Sequence, residues 1–203
     1  MIENRDVFIN CPFSIDYIQF FRATVFTVTR AGFTARCALE ADDSSENRFD
    51  KICQIIAKSR LAVHDISKTE LDKKSKLPRF NMPLELGLFL AAKKFGDADQ
   101  RKKRCIIFDR APYRYQKFIS DISGQDIHSH GGKVSKLIEE ISSWLRHEVM
   151  VRNVPGGLAI AKEFKIFSNN LPRICQINRL YPVELTFQDY RKMVESWIVE
   201  NSA

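Results

Sequence analysis

Long hydrophobic runs are missing from this chain of 203 residues, and no window approaches the roughly 20 apolar residues that cross a bilayer. No membrane association is expected from that pattern. Glycine and proline are sparse, at 8 and 7 residues, and neither an internal repeat nor a low-complexity tract is present. The 5 cysteines are odd in number, scattered and without a Cys-x-x-Cys pair, which disfavours a disulfide framework or a zinc knuckle. The opening MIENRDVFIN has early acidic residues and a very short apolar run, so it does not read as a signal peptide. The expected setting is cytoplasmic, with reduced thiols.

What is present suits a folded α/β protein. Hydrophobic residues make up 44% of the chain and include 15 Phe, enough to bury a sizeable core without staples. The formal charge of +7 is moderate. Its excess sits in two segments, Lys68 to Arg79 with five basic against two acidic residues, and Lys93 to Arg104 with six against two. Such segments raise the local concentration of an anionic ligand or partner, or simply keep two loops solvated. They lack the interleaved run of aromatics that stacks bases, so nucleic acid is not an expected partner.

Along the chain, Val7 to Asn10 predicts a strand stopped at Cys11-Pro12, followed by a helix from Asp16 to the cap at Gly32. Thr34 to Leu39 reads as a second strand, Asn47 to Ser59 as a helix burying Phe49, Ile52, Cys53, Ile55 and Ile56, and Leu61 to His64 as a third strand ending at Asp65. The segment Ser67 to Phe80 has no apolar periodicity and reads as a mobile crossing, suited to a lid. Asn81-Met82-Pro83 signals a helix start, with the helix running to about Lys94. Cys105 to Phe108 predicts a fourth strand, Tyr113 to Ile119 a short helix, Asp126 to His130 a fifth strand and Val134 to His147 a helix. The expectation is an α/β, flavodoxin-like or Rossmann-like parallel sheet of four to five strands with helices on both faces, over residues 1–150. Residues 151–203 read as a small C-terminal helical appendage, with segments at Leu158 to Phe167, Leu171 to Leu180 and Phe187 to Val199.

In such a sheet the ligand crevice lies beyond the carboxyl ends of the strands. The strand ends gather Asn10, Cys11, Pro12 and Phe13, then Glu40, Asp42 and Asp43, then Asp65 and Ser67, then Asn81, Met82 and Glu85, and finally Asp109, Arg110, Tyr113 and Arg114. Carboxylates with aromatics and arginines suit a nucleoside or sugar ligand better than a bare phosphate. Glu85, early in its helix, is the sharpest candidate, because an ionised carboxylate can attack an anomeric carbon or stabilise an oxocarbenium-like transition state. Gly87 two positions on would admit a close approach of backbone or ligand. The competing reading is that Glu85 merely answers the helix dipole, and from the residues alone the two stand even. Cys11 with His64 could mimic a thiol nucleophile and its base, and His128 with His130 could offer two metal ligands without a third. A buried small thiol and a pair of loop histidines are the plainer readings.

The order strand, helix, strand, acidic loop, helix, strand ending in Asp65, then Glu85-Leu86-Gly87 at a helix start resembles the Toll/interleukin-1 receptor (TIR) domains and the nucleoside 2-deoxyribosyltransferase-like proteins, over about residues 5–148. The resemblance implies N-glycosidic cleavage or transfer on NAD or a related nucleotide or nucleoside. It assigns Glu85 the chemistry and Asp65 an orienting part, with NAD or nucleotide as substrate and no resident cofactor. It further implies self-association or a defence-system partner protein, since stand-alone prokaryotic proteins of this shape resemble antiviral effectors that deplete NAD or make a signal. A nucleotide-sensing module without catalysis and a TIR-type assembly or adaptor module are the alternatives.

Overall fold

The computed structural model describes residues 4–40, 44–71, 76–148 and 154–201. Strands β1 (Asp6–Asn10), β2 (Thr34–Arg36), β3 (Leu61–Asp65), β4 (Arg104–Asp109) and β5 (Ile127–Ser129) form one all-parallel sheet in the order β2-β1-β3-β4-β5. This is the α/β, flavodoxin-like arrangement. β1 and β3 are central and apolar almost throughout, as strands covered on both faces must be.

Helices α1 (Ile18–Arg30) and α4 (Val134–Glu148) cover one face, where Val7, Ile9, Val63 and Phe108 meet Phe21, Val25, Leu137 and Ile141. Helices α2 (Arg48–Lys58) and α3 (Asn81–Phe95) cover the other, packing Ile52, Ile55, Ile56 and Phe89 on Phe8 and Ala62. α1 stops at the expected place, because Gly32 takes a left-handed φ of +81°. α2 begins at a side-chain cap, the Asn47 carboxamide oxygen accepting from the Phe49 amide at 2.8 Å.

Several boundaries differ from the sequence expectation. β2 is short because the chain turns at once, the Glu40 amide bonding to the Cys37 carbonyl at 3.1 Å. Phe49, expected inside, is exposed at the first turn of α2. The segment from Tyr113 to Ile119 is not an α-helix but holds one 3-10 turn, Arg114–Lys117, entered through a left-handed Tyr113, with a second, Ser120–Ile122, directly after it. The two expected helices after residue 157 are one, α5 (Gly157–Ile177), which runs through Pro172. Proline removes a single donor there, and its ring is solvent-exposed.

α5 and α6 (Phe187–Asn201) form a further layer on α1 and α4 and share their core. Phe26 meets Phe164 and Phe167, and Phe167 meets Tyr190 and Trp197. α5 starts so close to α4 that a Cβ on Gly157 would lie 2.4 Å from Glu139 Cα, so only glycine fits. α6 also clasps the β2 edge: Gln188 donates to the Glu40 carbonyl at 3.0 Å and Arg191 to the Ala35 carbonyl at 3.4 Å. Among the described residues no helix is long and apolar enough to cross a membrane.

Candidate functional site

With strand order 2-1-3, the chain leaves β1 toward one side of the sheet and β3 toward the other, so the switch point lies where those two strands end. Asn10 and His64 are register partners at that point. The Asn10 carboxamide is buried and donates to the Met82 carbonyl at 2.8 Å and to His64 Nδ1 at 3.0 Å. Since Nδ1 accepts, the His64 proton sits on Nε2. Burial holds this imidazole neutral, its pKa pushed down to about 3. His64 is edge-on to Phe8 and Phe89 and serves as a core histidine, not as a base for Cys11. Burial likewise pushes the Cys11 thiol well up, reinforced by Asp65, Cys37 and Glu85, so it carries no thiolate character.

Fastening Met82 to β1 fixes the first turn of α3, and Glu85 follows three residues later. Its side chain is largely buried, at 8% exposure. No hydrogen bond or ion pair engages its carboxyl among the described residues. Burial raises its pKa to about 7, against the downward pull of the Arg48 guanidinium at the start of α2. A carboxyl poised near neutrality without a structural partner is what acid, base or nucleophile chemistry uses. The charges of Glu85 and Asp65 both act on the Cys11 thiol at the end of β1. The expected close approach at Gly87 is not made by protein, since a Cβ there would meet nothing within 4 Å.

Asp65 is engaged inside the protein. One carboxylate oxygen accepts from the Ser67 amide at 2.9 Å and the other from the Tyr17 hydroxyl. His130 Nε2 lies 2.7 Å from Ser67 Oγ, 3.3 Å from Tyr17 Oη and 3.5 Å from Asp65 Oδ2. Because His130 Nδ1 accepts from the Gly132 amide at 3.0 Å, the Nε2 proton points at Ser67. Ser, His and Asp thus meet without forming a nucleophilic triad, in which Nε2 would have to accept from the serine. They form a buried clamp across the ends of β1, β3 and β5, and burial beside Asp65 raises the Tyr17 phenol far above its ordinary value. His128, the other histidine of the pair, is 3.0 Å from Glu140 and takes no part. Among the described residues no group of three or more His, Cys, Asp or Glu could hold a metal ion.

The remaining candidates divide. Asp109 is buried and accepts from both Arg114 Nε, at 2.8 Å, and Arg114 Nη2, while the same guanidinium donates to Thr69 Oγ1 at 2.8 Å and the Ser67 carbonyl at 2.7 Å and lies over the Phe118 ring. The pair is therefore a latch between the loops after β3 and β4, with its donors turned inward. Tyr113 is 71% exposed and has a left-handed backbone conformation. Asn81 is exposed at the mouth of the helix, Met82 and Pro12 are buried, and Phe13 packs edge-on to Phe21. Asp42 and Asp43 lie outside the described residues. Within the Ser67 to Phe80 segment, Lys68 bonds to Asp16 and Ser14 at 2.7 Å and Leu71 bridges to Pro78.

A small cavity of about 170 Å³ is lined by Phe13, Phe21, Leu39, Phe187 and Tyr190 among others, and Phe13 is the one candidate residue it touches. A larger groove of about 460 Å³ lies between α5 and α6 and shares no lining residue with it. Sequence reasoning missed Arg48, Tyr17 and the structural part of His130. Arg48 carried no signal beyond a basic residue after a helix cap, and Tyr17 reads as one more apolar position in α1's periodicity. No protein-family model and no curated protein matches this chain.

Proposed function

We propose that the protein cleaves, or transfers across, an N-glycosidic bond of NAD or a related nucleotide or nucleoside, with Glu85 carrying the chemistry. The observation that carries this reading is the buried, unpartnered Glu85 carboxyl, its pKa raised by burial, near the switch point of a flavodoxin-like sheet. In its ionised form Glu85 attacks the anomeric carbon or steadies its developing positive charge as the bond to the base nitrogen breaks and the base departs with the bonding pair. Water or an acceptor hydroxyl then takes the sugar and frees the carboxylate. Arg48, whose charge favours ionised Glu85, also suits an anionic phosphate of the substrate. Asp65 acts from behind, holding Tyr17 and the Ser67 loop in place.

The test is to incubate the wild type and Glu85→Gln with NAD and a panel of nucleosides and nucleotides, resolving products by chromatography with mass detection. The expected result is release of nicotinamide or a free base by the wild type alone, with the variant folded. Equal turnover by the variant overturns the assignment of Glu85. Ligand binding with no product from either protein supports a nucleotide-sensing module in place of an enzyme.

A further inference from the structure

Helices α5 and α6 both rest on α1 and leave between them a groove of about 460 Å³. Its apolar lining is Ile174 and Ile177 from α5 and Met193 and Trp197 from α6. Met193 belongs to the core, Trp197 stands edge-on to Phe167 with ring centres 5.6 Å apart, and Ile177 is 72% exposed. The indole is thus seated on the core while it lines the groove.

Four donor groups of the same lining are unoccupied. Arg173 on α5 and Lys192 on α6 make no ion pair or hydrogen bond among the described residues, and the Trp197 indole N–H and the Ser196 hydroxyl have no partner there either. The carbonyls of Ile174, Cys175 and Gln176 at the end of α5, which would repel an anion, already accept from the Asn178, Leu180 and Arg179 amides. The carboxamides of Asn170 and Asn178 donate back to the Ile166 and Ile174 carbonyls, both at 2.8 Å. Against the two cations stands one carboxylate, Glu200, so the lining is net positive. Unpaired donors beside an apolar floor are complementary to an anion that carries an apolar body.

The size of the groove selects the kind of ligand. It runs from Asn170 to Asn178 on α5 and from Lys192 to Glu200 on α6, two turns of each helix or about 12 Å. That length supplies only part of the roughly 800 Å² per side that a specific protein partner covers. The volume instead falls among the roughly 300–1,000 Å³ of small-molecule sites, which likewise combine apolar walls with a few placed polar groups. We propose that the α5–α6 groove binds a small amphipathic anion, its apolar body along Ile174, Ile177, Met193 and Trp197 and its carboxylate or phosphate held by Arg173 and Lys192. All the lining residues belong to the two C-terminal helices, so this site is separate from the crevice at Glu85 and does not depend on the catalytic reading.

Nitrogen-15 NMR of the full chain tests it, because the protein has 2 tryptophans and Trp144→Phe assigns the two indole signals. The probes are decanoate and naphthyl phosphate, with decyltrimethylammonium as a cation of similar tail. The Trp197 indole signal is expected to shift with an anionic probe and the Trp144 signal to stay; the tighter of the two anions tells an acyl body from an aryl one. Arg173→Glu and Lys192→Glu, both at exposed positions, should each weaken binding about tenfold or more, and Glu200→Gln should tighten it. Lys165→Glu makes the same change of net charge on an exposed part of α5 outside the groove, and should leave binding nearly unchanged. A Trp197 signal that moves with neither anion at millimolar concentration overturns the proposal. Equal binding of the cationic probe, or a loss with Lys165→Glu as large as with Arg173→Glu, overturns it too.

Discussion

The Asn10 carboxamide reaches from the end of β1 to the backbone carbonyl of Met82, 72 residues later, at 2.8 Å. One buried side chain thereby couples the switch point of the sheet to the first turn of the helix that carries Glu85. Its second donor bond, to neutral His64, leaves the amide no freedom to turn. Asn10→Ala removes the donor from buried His64 Nδ1 and the side-chain donor from the Met82 carbonyl, and is expected to cost about 1–3 kcal/mol in denaturant unfolding. Amide exchange in the first turn of α3 should accelerate as well. Unchanged exchange there would show that α3 is held by its packing alone.

Glu85 links stability to pH. Its folded pKa is raised from 4.5 to about 7, so the stability tied to the neutral carboxyl is complete below pH 4.5 and is lost as pH rises through 7. The shift corresponds to about 3 kcal/mol at alkaline pH. Glu85→Gln, which cannot ionise, should match the wild type near pH 4 and exceed it by up to that amount at pH 8. Urea unfolding of both proteins at the two pH values measures this, and a constant difference would mean that Glu85 ionises freely in the fold.

His64 acts in the opposite sense. Its folded pKa is lowered from 6.5 to about 3, so the stability it contributes is present above pH 6.5 and is lost as pH falls toward 3. Between pH 4.5 and 6.5 the two groups therefore oppose each other. Titration of the imidazole by nitrogen-15 NMR should show the Nε2-protonated neutral form persisting through pH 5. A resonance that shifts near pH 6.5 would refute it.

If Glu85 is the nucleophile, turnover should rise with pH and level off above about 7, following the ionised fraction. Arg48→Ala removes the charge that pulls this pKa down, and should move the rise to higher pH. A pH profile of kcat that is the same in both proteins would remove Arg48 from the site.

The clamp at Asp65 predicts a structural cost separable from chemistry. Tyr17→Phe removes one donor from a buried carboxylate and should destabilise by about 1–3 kcal/mol. Because the phenol lies behind the crevice, turnover measured on the folded fraction should change little.

The sheet was legible in the sequence because its strands are short apolar runs ending in polar residues, and the α3 start because Asn81-Met82-Pro83 is a strong local signal. Local patterns reached no further. Pro172 reads as a break, yet α5 runs on because its buried positions from Ile160 to Cys175 all meet one neighbouring layer. The site was half legible. Glu85 lies early in α3 and Asn10 and Asp65 end their strands as the sequence indicated, but Tyr17 and His130, 113 residues apart, meet only through the fold. The commitment of Arg114 to Asp109 and to two backbone carbonyls was equally hidden, since a free arginine and a latched one look alike in a sequence.

The clasp of α6 on β2 gives the molecule a mechanical path. Gln188 and Arg191 hold the short edge strand and the turn after it by their carbonyl oxygens. Tension applied at the Asn201 end of α6 would run down the helix and arrive at Ala35 and Glu40. From there it passes into β1, whose last residue anchors the turn bearing Glu85. A pull of this kind would shear β2 from β1, which share only three register pairs, before it disturbed the better paired strands behind them.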